Sequence, residues 1–339
     1  MLLRRGKAVA GCVLAALVPG PFLWRAAAQN TPDEPAPAFS RIESLDLPPA
    51  TASQLQQDME SHDYISAEKI LLPQIQQDPH SSRAAGLLDF IGGVYFLDHD
   101  YFHAAVAWNK AQSIAPLQPS LRFSLAMTYI RMGHTDWARK LLERLSSEDP
   151  KNAIYVYWLG RLDFVEHAYS RAILQLKNAI SLDPGMARAY DNLGLCYYHQ
   201  NQNTEAVENF RKAIDLDRGS PQPSAWPYLN LAITLQILNQ PAEAEANLRQ
   251  AIQLEPSLAQ AHFQLGNVLE RMGRTQDAIS EFRQAAQLDP AYPEPHFALA
   301  RLYRRTGQDS QARQEVQIYL RLNAAANAAP ASASPSGKH

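Results

Sequence analysis

Residues 259–292 read AQAHFQLGNVLERMGRTQDAISEFRQAAQLDPAY, and this stretch decides the fold. Its first half has one stripe of apolar or small residues, at His262, Leu265, Gly266 and Leu269. After a short break, its second half has another stripe, at Ala278, Phe282 and Ala285. Intervals of three and four residues place side chains on one face of a helix. The stretch therefore predicts two short helices joined by a tight turn.

The same pattern returns along the chain with a period of 34 residues. Alanines mark it at Ala104, Ala138, Ala172, Ala206, Ala244, Ala278 and Ala312, at intervals of 34, 34, 34, 38, 34 and 34. Twelve residues before each alanine stands a small residue, at Gly92, Ala126, Gly160, Gly194, Ala232, Gly266 and Ala300. A fixed period of this length predicts a solenoid, in which each helix pair packs against its neighbours along the chain.

Two positions of the period have a steric explanation. The fifteenth is always Gly, Asn or His, the residues that best adopt a left-handed turn, at His99, Gly133, His167, Asn201, Asn239, Gly273 and Gly307. We expect these residues to end the first helix of each pair. The small residues allow two antiparallel helices to approach closely, because a large side chain at that contact would hold them apart.

The pattern resembles that of the tetratricopeptide repeat family, which has Leu-Gly at positions 7 and 8, Ala at 20, an aromatic residue at 24 and Pro at 32. The resemblance is carried in one unit by Leu193-Gly194, Tyr197, Ala206, Phe210 and Ala213, and in another by Leu265-Gly266, Ala278, Phe282, Ala285 and Pro290. It implies an all-α fold, a right-handed α-solenoid (superhelix) of antiparallel helix pairs. Seven repeats are predicted, at 85–118, 119–152, 153–186, 187–220, 225–258, 259–292 and 293–326. Residues 48–84 are predicted to form a degenerate N-terminal hairpin of the same kind.

Residues 1–28 have the pattern of a signal peptide. Arg4, Arg5 and Lys7 precede an apolar run at 8–18, and three alanines precede the predicted cleavage site after Ala28. Eleven apolar residues are fewer than the ~20 that cross a bilayer. We therefore expect an exported protein, periplasmic or secreted, with an uncleaved membrane anchor as the alternative. Lipidation at Cys12 is disfavoured because almost no apolar run precedes it.

The two ends of the remaining chain have linker-like compositions. Residues 29–47 are predicted to be a Pro-rich linker, and residues 327–339 a disordered Ala/Pro/Ser tail that has too little apolar surface to fold. Without residues 1–28 the chain has 27 basic and 34 acidic residues, a net charge of −7. Neither that charge nor a pI near 6.4 fits a strongly basic nucleic-acid binder.

The sequence offers no catalytic motif. Phosphate-binding glycine loops, G-x-S-x-G, H-E-x-x-H and C-x-x-C are all missing from the 339 residues. The nearest approach to a metal site is His99 with His103, but His99 belongs to a turn, so a solvated turn is the preferred interpretation. His262 and His296 are predicted to pack one repeat apart, and Cys196 to be a core residue. We therefore expect no enzyme activity, cofactor or metal.

A candidate binding surface follows from the resemblance, which implies that first helices line a concave groove through positions 2, 5, 9 and 12. Aromatic and apolar residues are frequent there, among them Phe123, Met127, Phe164, Tyr198 and Phe297. Position 6 adds amides that resemble an asparagine ladder for a peptide backbone. The predicted groove residues are Tyr157, Phe164, Asn192, Tyr198, Trp226, Leu229, Asn230, Phe263, Arg301 and Arg304. Burial between neighbouring first helices is the alternative for part of this set.

Two functions remain open at this point. One is a non-catalytic scaffold of the cell envelope that holds an extended peptide or a partner helix in the groove. The other is a structural or assembly subunit of an envelope machine (secretion, pilus or polysaccharide export) that binds through its outer face. The partner would be a protein or peptide, with no nucleic acid, and a membrane only through an uncleaved N-terminal segment. The sequence does not identify the partner, the pathway or the oligomeric state.

Overall fold

The fold is helical throughout the part of the chain that can be described. A computed structural model describes residues 42–328, which contain sixteen α-helices, one short 3₁₀ helix at Ile42–Leu45, and no strand. The all-α class predicted from the period of 34 is confirmed.

The chain divides into two compact units, with the boundary between Ser124 and Leu125. The helices of the first unit are α1 (Pro49–Glu60), α2 (Tyr64–Gln77), α3 (Ser82–Leu97) and α4 (Tyr101–Ile114). Helix α5 (Pro119–Arg131) contains the boundary. The helices of the second unit are α6 (Thr135–Glu148), α7 (Ala153–Val165), α8 (Tyr169–Leu182), α9 (Ala187–His199), α10 (Asn203–Asp217), α11 (Trp226–Ile237), α12 (Pro241–Leu254), α13 (Ala259–Arg271), α14 (Thr275–Leu288), α15 (Pro293–Arg305) and α16 (Asp309–Ala328).

Within each unit, contacts run from one helix to the next along the chain. In the first unit α1 packs on α2, α2 on α3 and α3 on α4, and in the second unit this sequence of contacts runs from α6 to α16. The first helices of consecutive pairs also touch, α7 with α9, α9 with α11 and α11 with α13. Contact with near neighbours only is the defining property of a solenoid. It also places the first helices of the second unit side by side.

Left-handed turns end the first helices, as the sequence predicts. All seven residues at the fifteenth position have φ between 57° and 79°, from His99 to Gly307, and His62 adds an eighth such turn between α1 and α2. At three of these turns a tyrosine two residues on meets the histidine ring, and at the first of them Tyr64 Oη lies 2.9 Å from His62 Nδ1. Tyr101 Oη lies 3.0 Å from His99 Nδ1, and Tyr169 Oη lies 2.9 Å from His167 Nδ1. His99 is therefore a turn residue, in agreement with the preferred interpretation.

The small residues of the first helices lie against large side chains of the second helices. A β-carbon at Gly194 would lie 2.6 Å from the ring of Phe210, and one at Gly266 would lie 2.5 Å from the ring of Phe282. The alanines of the second helices are buried in turn, with Ala172 and Ala206 fully inaccessible. Because real β-carbon contacts are much longer, glycine at these two positions is a packing requirement.

One buried carboxylate connects three helices of the second unit. Asp163 on α7 is only 2% exposed, and its carboxylate lies 3.0 Å from the guanidinium of Arg139 on α6 and 3.3 Å from that of Arg171 on α8. Glu166, one turn further along α7, lies 2.9 Å from Arg139 and 3.3 Å from Arg171. Two carboxylates and two guanidinium groups thus form one network across the pair α7–α8 and the preceding helix.

The predicted terminal segments fall mostly outside residues 42–328. The signal peptide at 1–28, most of the linker and residues 329–339 of the tail lie there, so these assignments stay predictions. Helix α16 continues to Ala328, two residues into the segment assigned to the tail. The stretch from Ala324 to Ala328 contains four alanines, and alanine has the highest helix propensity of any residue, which accounts for the extension.

Candidate functional site

The predicted groove residues lie on the first helices of the second unit, on α7, α9, α11, α13 and α15. We number each repeat from its first residue, 153, 187, 225, 259 or 293, and call positions 2, 5, 9 and 12 of these five repeats the first-helix stripe. Neighbouring first helices are joined by polar contacts along it. Tyr157 on α7 meets Asn192 on α9, Asp191 on α9 meets Asn230 on α11, and Gln236 on α11 meets Gln264 on α13. An ion pair between Glu270 and Arg301 continues these contacts from α13 to α15.

Three of the ten predicted groove residues are buried. Tyr157 is 2% exposed and Leu229 is 0% exposed, and Asn230 is buried as well. Because neighbouring first helices cover them, these side chains do not offer a contact surface for a partner. For these three residues, burial between neighbouring first helices describes the structure better than a role in binding.

The two asparagines of the predicted ladder are engaged within the chain. The Asn192 amide nitrogen donates to Tyr157 Oη at 3.3 Å and to the Arg188 carbonyl at 2.8 Å. The Asn230 amide nitrogen donates to Asp191 Oδ1 at 3.0 Å. A primary amide nitrogen has two hydrogens, so both donors of Asn192 are in use. In this structure the ladder connects helices, which differs from the predicted role in holding a peptide backbone.

Four of the predicted aromatic residues keep part of their surface accessible. Phe164, Tyr198, Trp226 and Phe263 are each half-buried. Tyr198, Trp226 and Phe263 pack against the core formed by α10 to α16. Outside the predicted set, Phe297 on α15 is 53% exposed and packs against Tyr319, with the ring centroids 5.2 Å apart and the ring planes tilted by 43°. The stripe thus contains a row of aromatic side chains that are each partly accessible.

The C-terminal arginines differ from each other. Arg301 and Arg305 both pair with Glu270, Arg305 at 3.2 Å. Arg304 is exposed and forms no ion pair within residues 42–328. Of the two arginines predicted for the groove, only Arg304 therefore offers a charge that no neighbouring carboxylate offsets.

A histidine extends the aromatic row at α7–α9. The His199 ring stacks on Tyr169 at a centroid distance of 5.0 Å with the planes 2° apart, and it meets Phe164 edge-on at 5.5 Å. Burial lowers the pKa of His199, and the nearby His167 lowers it further. A neutral ring is favoured beside Tyr198, so this end of the row is aromatic and uncharged at neutral pH.

Asp191 is a site residue that the predicted set omits. It occupies position 5 of α9, is half-buried, and accepts the hydrogen bond from Asn230. Burial raises the pKa of its carboxyl to about 6, and Asp217 raises it as well, against the lowering effects of Asn230 and Arg161. The sequence does contain a signal for it. Position 5 is a carboxylate only here, whereas the other four repeats of the stripe have an aromatic or apolar residue at that position.

Replacing Asp191 with asparagine is expected to stabilise the protein at neutral pH. The folded-state pKa, about 6, is above the ordinary value of 3.8, so the folded state opposes ionisation. This penalty is absent below pH 3.8, grows between 3.8 and about 6, and is complete above 6. We expect a gain of about 1 kcal/mol in urea unfolding at pH 7.5, after allowance for partial solvent exposure, and no gain at pH 3.5. An equal gain at both pH values would contradict the burial argument.

The other residues considered for chemistry are structural. Cys196 is fully buried, and burial raises the pKa of its thiol to about 12, so the thiolate nucleophile does not form near neutral pH. His262 and His296 are each held by a glutamate of the second helix of their pair, His262 Nδ1 at 2.7 Å from Glu281 and His296 Nδ1 at 2.6 Å from Glu315. Within residues 42–328, no group of three or more His, Cys, Asp or Glu side chains is arranged to hold a metal ion.

Family models confirm the interpretation of the period. Three models described as tetratricopeptide repeats match residues 185–257, 229–293 and 269–333. Residues 185–333 are tetratricopeptide repeats. None of these three models describes an enzyme, and the repeat is typical of non-catalytic scaffolds.

Two curated relatives match short parts of the chain. Small glutamine-rich tetratricopeptide repeat-containing protein 2 of Saccharomyces cerevisiae is 34% identical over 68 residues, which are 20% of this chain and 20% of that protein. The lipoprotein NlpI homolog of Haemophilus influenzae is 28% identical over 111 residues, 33% of this chain and 35% of that protein. The chain thus matches only a fifth and about a third of the length of these relatives.

Solved structures share the fold. A tetratricopeptide repeat protein from Parabacteroides merdae aligns with a TM-score of 0.61 at 17% identity, over 77% of this chain and 98% of that chain. PilF of Pseudomonas aeruginosa aligns with a TM-score of 0.55 at 19% identity, over 61% of this chain and 97% of that one. At these identities the likeness is evidence for the helical solenoid alone.

The helices give no sign of a membrane span. Between residues 42 and 328, every helix is too short or too polar to cross a bilayer.

Proposed function

We propose that this tetratricopeptide repeat protein is a non-catalytic interaction scaffold whose first-helix stripe binds an extended peptide or a partner helix. The observation that carries the proposal is the row of accessible aromatic surface on consecutive first helices. This row comprises Phe164, Tyr198, Trp226, Phe263 and Phe297.

Aromatic side chains suit such a role. They bury a large area and lose few rotatable bonds on binding, and they are enriched among the residues that dominate interface energies. Tyr198 and Trp226 are already held on one side by the core of the second unit. Little conformational entropy remains to be lost when a partner covers the other side, which favours affinity.

We further propose that the protein works in the cell envelope. The basic start and apolar run of residues 1–28 support export. One curated relative that matches a third of the chain is named a lipoprotein, which supports the same compartment.

A second candidate is an assembly subunit that binds through its second helices. Two apolar side chains support it, because Trp137 on α6 and Leu174 on α8 are 51% and 69% exposed. They lie on the helices that do not carry the first-helix stripe. These two residues therefore offer a matched control for any test of the stripe.

The combined substitution Tyr198→Ala and Trp226→Ala should remove peptide binding. The probe is a phage-displayed library of random 12-residue peptides, selected on the immobilised protein. Because two aromatic anchors are lost, the affinity for the selected peptides should fall about thirtyfold or more, as measured by fluorescence polarisation. Far-ultraviolet circular dichroism should show that helicity is retained, because each residue keeps only part of its surface in the core.

The control is the pair Trp137→Ala and Leu174→Ala, which should leave peptide affinity unchanged. Affinity through aromatic residues should also depend little on salt, since screening acts on charges. Loss of binding in the control pair, with full binding in the variant of Tyr198 and Trp226, would favour the second candidate instead.

A further inference from the structure

Asp191 differs from three other shielded carboxylates of the second unit. Asp163, Glu245 and Glu270 are each paired with two arginines, within 3.3 Å. Asp191 accepts one hydrogen bond from the neutral amide of Asn230 and forms no ion pair in the described part of the chain. Burying a carboxylate without a cation costs free energy. A cation supplied by a binding partner would offset this cost at Asp191.

Two aromatic residues lie on the same helix faces as Asp191 and its partner Asn230. Tyr198 stands seven residues further along α9, two turns away on the same face. Trp226 stands one turn before Asn230 on α11, on the face that meets Asp191. Both rings are half-buried. A side chain that reaches Asp191 along the stripe can therefore also contact these partly accessible rings.

The charges nearby leave Asp191 without full compensation. Arg161 on α7 acts on it from a distance and favours ionisation, whereas Asp217 at the end of α10 opposes it. Arg188, one turn before Asp191, holds its guanidinium 4.9 Å from the ring centre of Tyr157, on the side of α7. Asp191 and Asp217 are close enough to interact electrostatically, so their two charges together attract a cation.

We propose that Asp191 is the anchor for a basic side chain, lysine or arginine, of a peptide bound along the first-helix stripe. This inference rests on the proposed function, since it specifies the chemistry of the partner at one position. The ammonium or guanidinium group donates to the Asp191 carboxylate. Its carbon stem lies against Trp226 and Tyr198, which also attract a cation through their ring faces.

The physical gain comes from pairing a charge that the fold has already desolvated. The carboxylate carries a raised pKa, so a cation that binds it recovers interaction energy that the free protein lacks. Hydrogen bonds to charged groups are stronger than neutral ones when both partners are shielded from water. A net charge of −3 over the chain adds attraction at long range.

The test starts from the peptides selected on the wild-type protein from the random 12-residue library. We expect one position of the selected peptides to be enriched in lysine or arginine. Replacing that residue with norleucine, which keeps the stem and removes the charge, should weaken binding to the wild type about tenfold. The same replacement in the peptide should change its affinity for the Asp191→Asn variant by less than twofold, because that variant lacks the carboxylate.

The matched control is Asp215→Asn, which removes an exposed carboxylate on α10. It should show the full tenfold difference between the basic and the norleucine peptide. Two results would overturn the inference while the proposed function stands: selected peptides without a basic residue, or an equal effect of norleucine on the wild type and on Asp191→Asn. Selected peptides that bind the variant Tyr198→Ala with Trp226→Ala at unchanged affinity would instead contradict the proposed function itself.

Discussion

Replacing Asp163 with alanine is expected to destabilise the second unit by about 3–5 kcal/mol in urea unfolding. The carboxylate is 2% exposed and lies within 3.3 Å of both Arg139 and Arg171. Its removal leaves Arg139, whose side chain is 20% exposed, with only the neighbouring Glu166 as a partner. Truncating one partner of a buried pair costs more than the pair contributes, because the remaining charge stays desolvated.

Two comparisons make this prediction specific. Asp215→Ala removes the exposed ion pair with Arg218 and should cost less than about 0.5 kcal/mol. The double variant Asp163→Ala with Arg139→Ala should be less destabilised than the sum of the two single variants, because the uncompensated charge is removed as well. Strict additivity of the two single effects would show that the pair is not coupled.

Leucine in place of Ala206, or of Ala172, is expected to cost about 1–3 kcal/mol. Both alanines are fully buried at contacts between the two helices of a pair, where Gly194 and Gly160 lie on the facing helices. The extra three carbon atoms must separate the helices or force side chains off their rotamers. Because solenoid stability is mainly a nearest-neighbour property, hydrogen exchange should rise mostly in the substituted repeat and the adjacent ones.

Ala242→Leu is the matched control for this pair of substitutions. Ala242 is exposed on α12, two residues before the buried Ala244. Leucine and alanine have similar helix propensities, so the melting temperature should change little. A melting curve unchanged by leucine at both Ala172 and Ala206 would mean that the helix register of the repeats is wrong.

The fold follows from the sequence because its decisive constraints are local. A left-handed residue at the fifteenth position and a glycine facing an aromatic ring each act within a single helix pair, as at Asn201 and at Gly194 opposite Phe210. Repetition of the same constraint in each period leaves one consistent architecture. The 34-residue period could therefore predict helices, turns and packed faces.

The candidate site could be predicted only in part, because it depends on contacts between repeats. Periodicity places Tyr157 and Phe164 on one face of α7, yet Tyr157 is covered and Phe164 is partly open. How far each side chain is covered depends on packing between repeats, which the period of 34 does not specify. Asn192 illustrates the same limit, since its partner Tyr157 lies 35 residues away.

Asp191 shows what a pattern of residue types leaves out. In the sequence it is a carboxylate at a position that is otherwise aromatic or apolar, and nothing there indicates that its charge lacks an ion-pair partner. That property depends on Asn230 and Arg161, which lie in the following and preceding repeats. A solenoid surface is assembled from three repeats at a time, so its electrostatics require the structure.

Site-specific photo-crosslinking in the native host tests directly whether a partner binds to the first-helix stripe. Benzoylphenylalanine at position 198 places the reactive group on the first-helix stripe, and the same residue at position 174 places it on an exposed second helix. We expect a discrete crosslinked partner from position 198 and none from position 174. A partner captured from position 174 alone would contradict binding through the first-helix stripe.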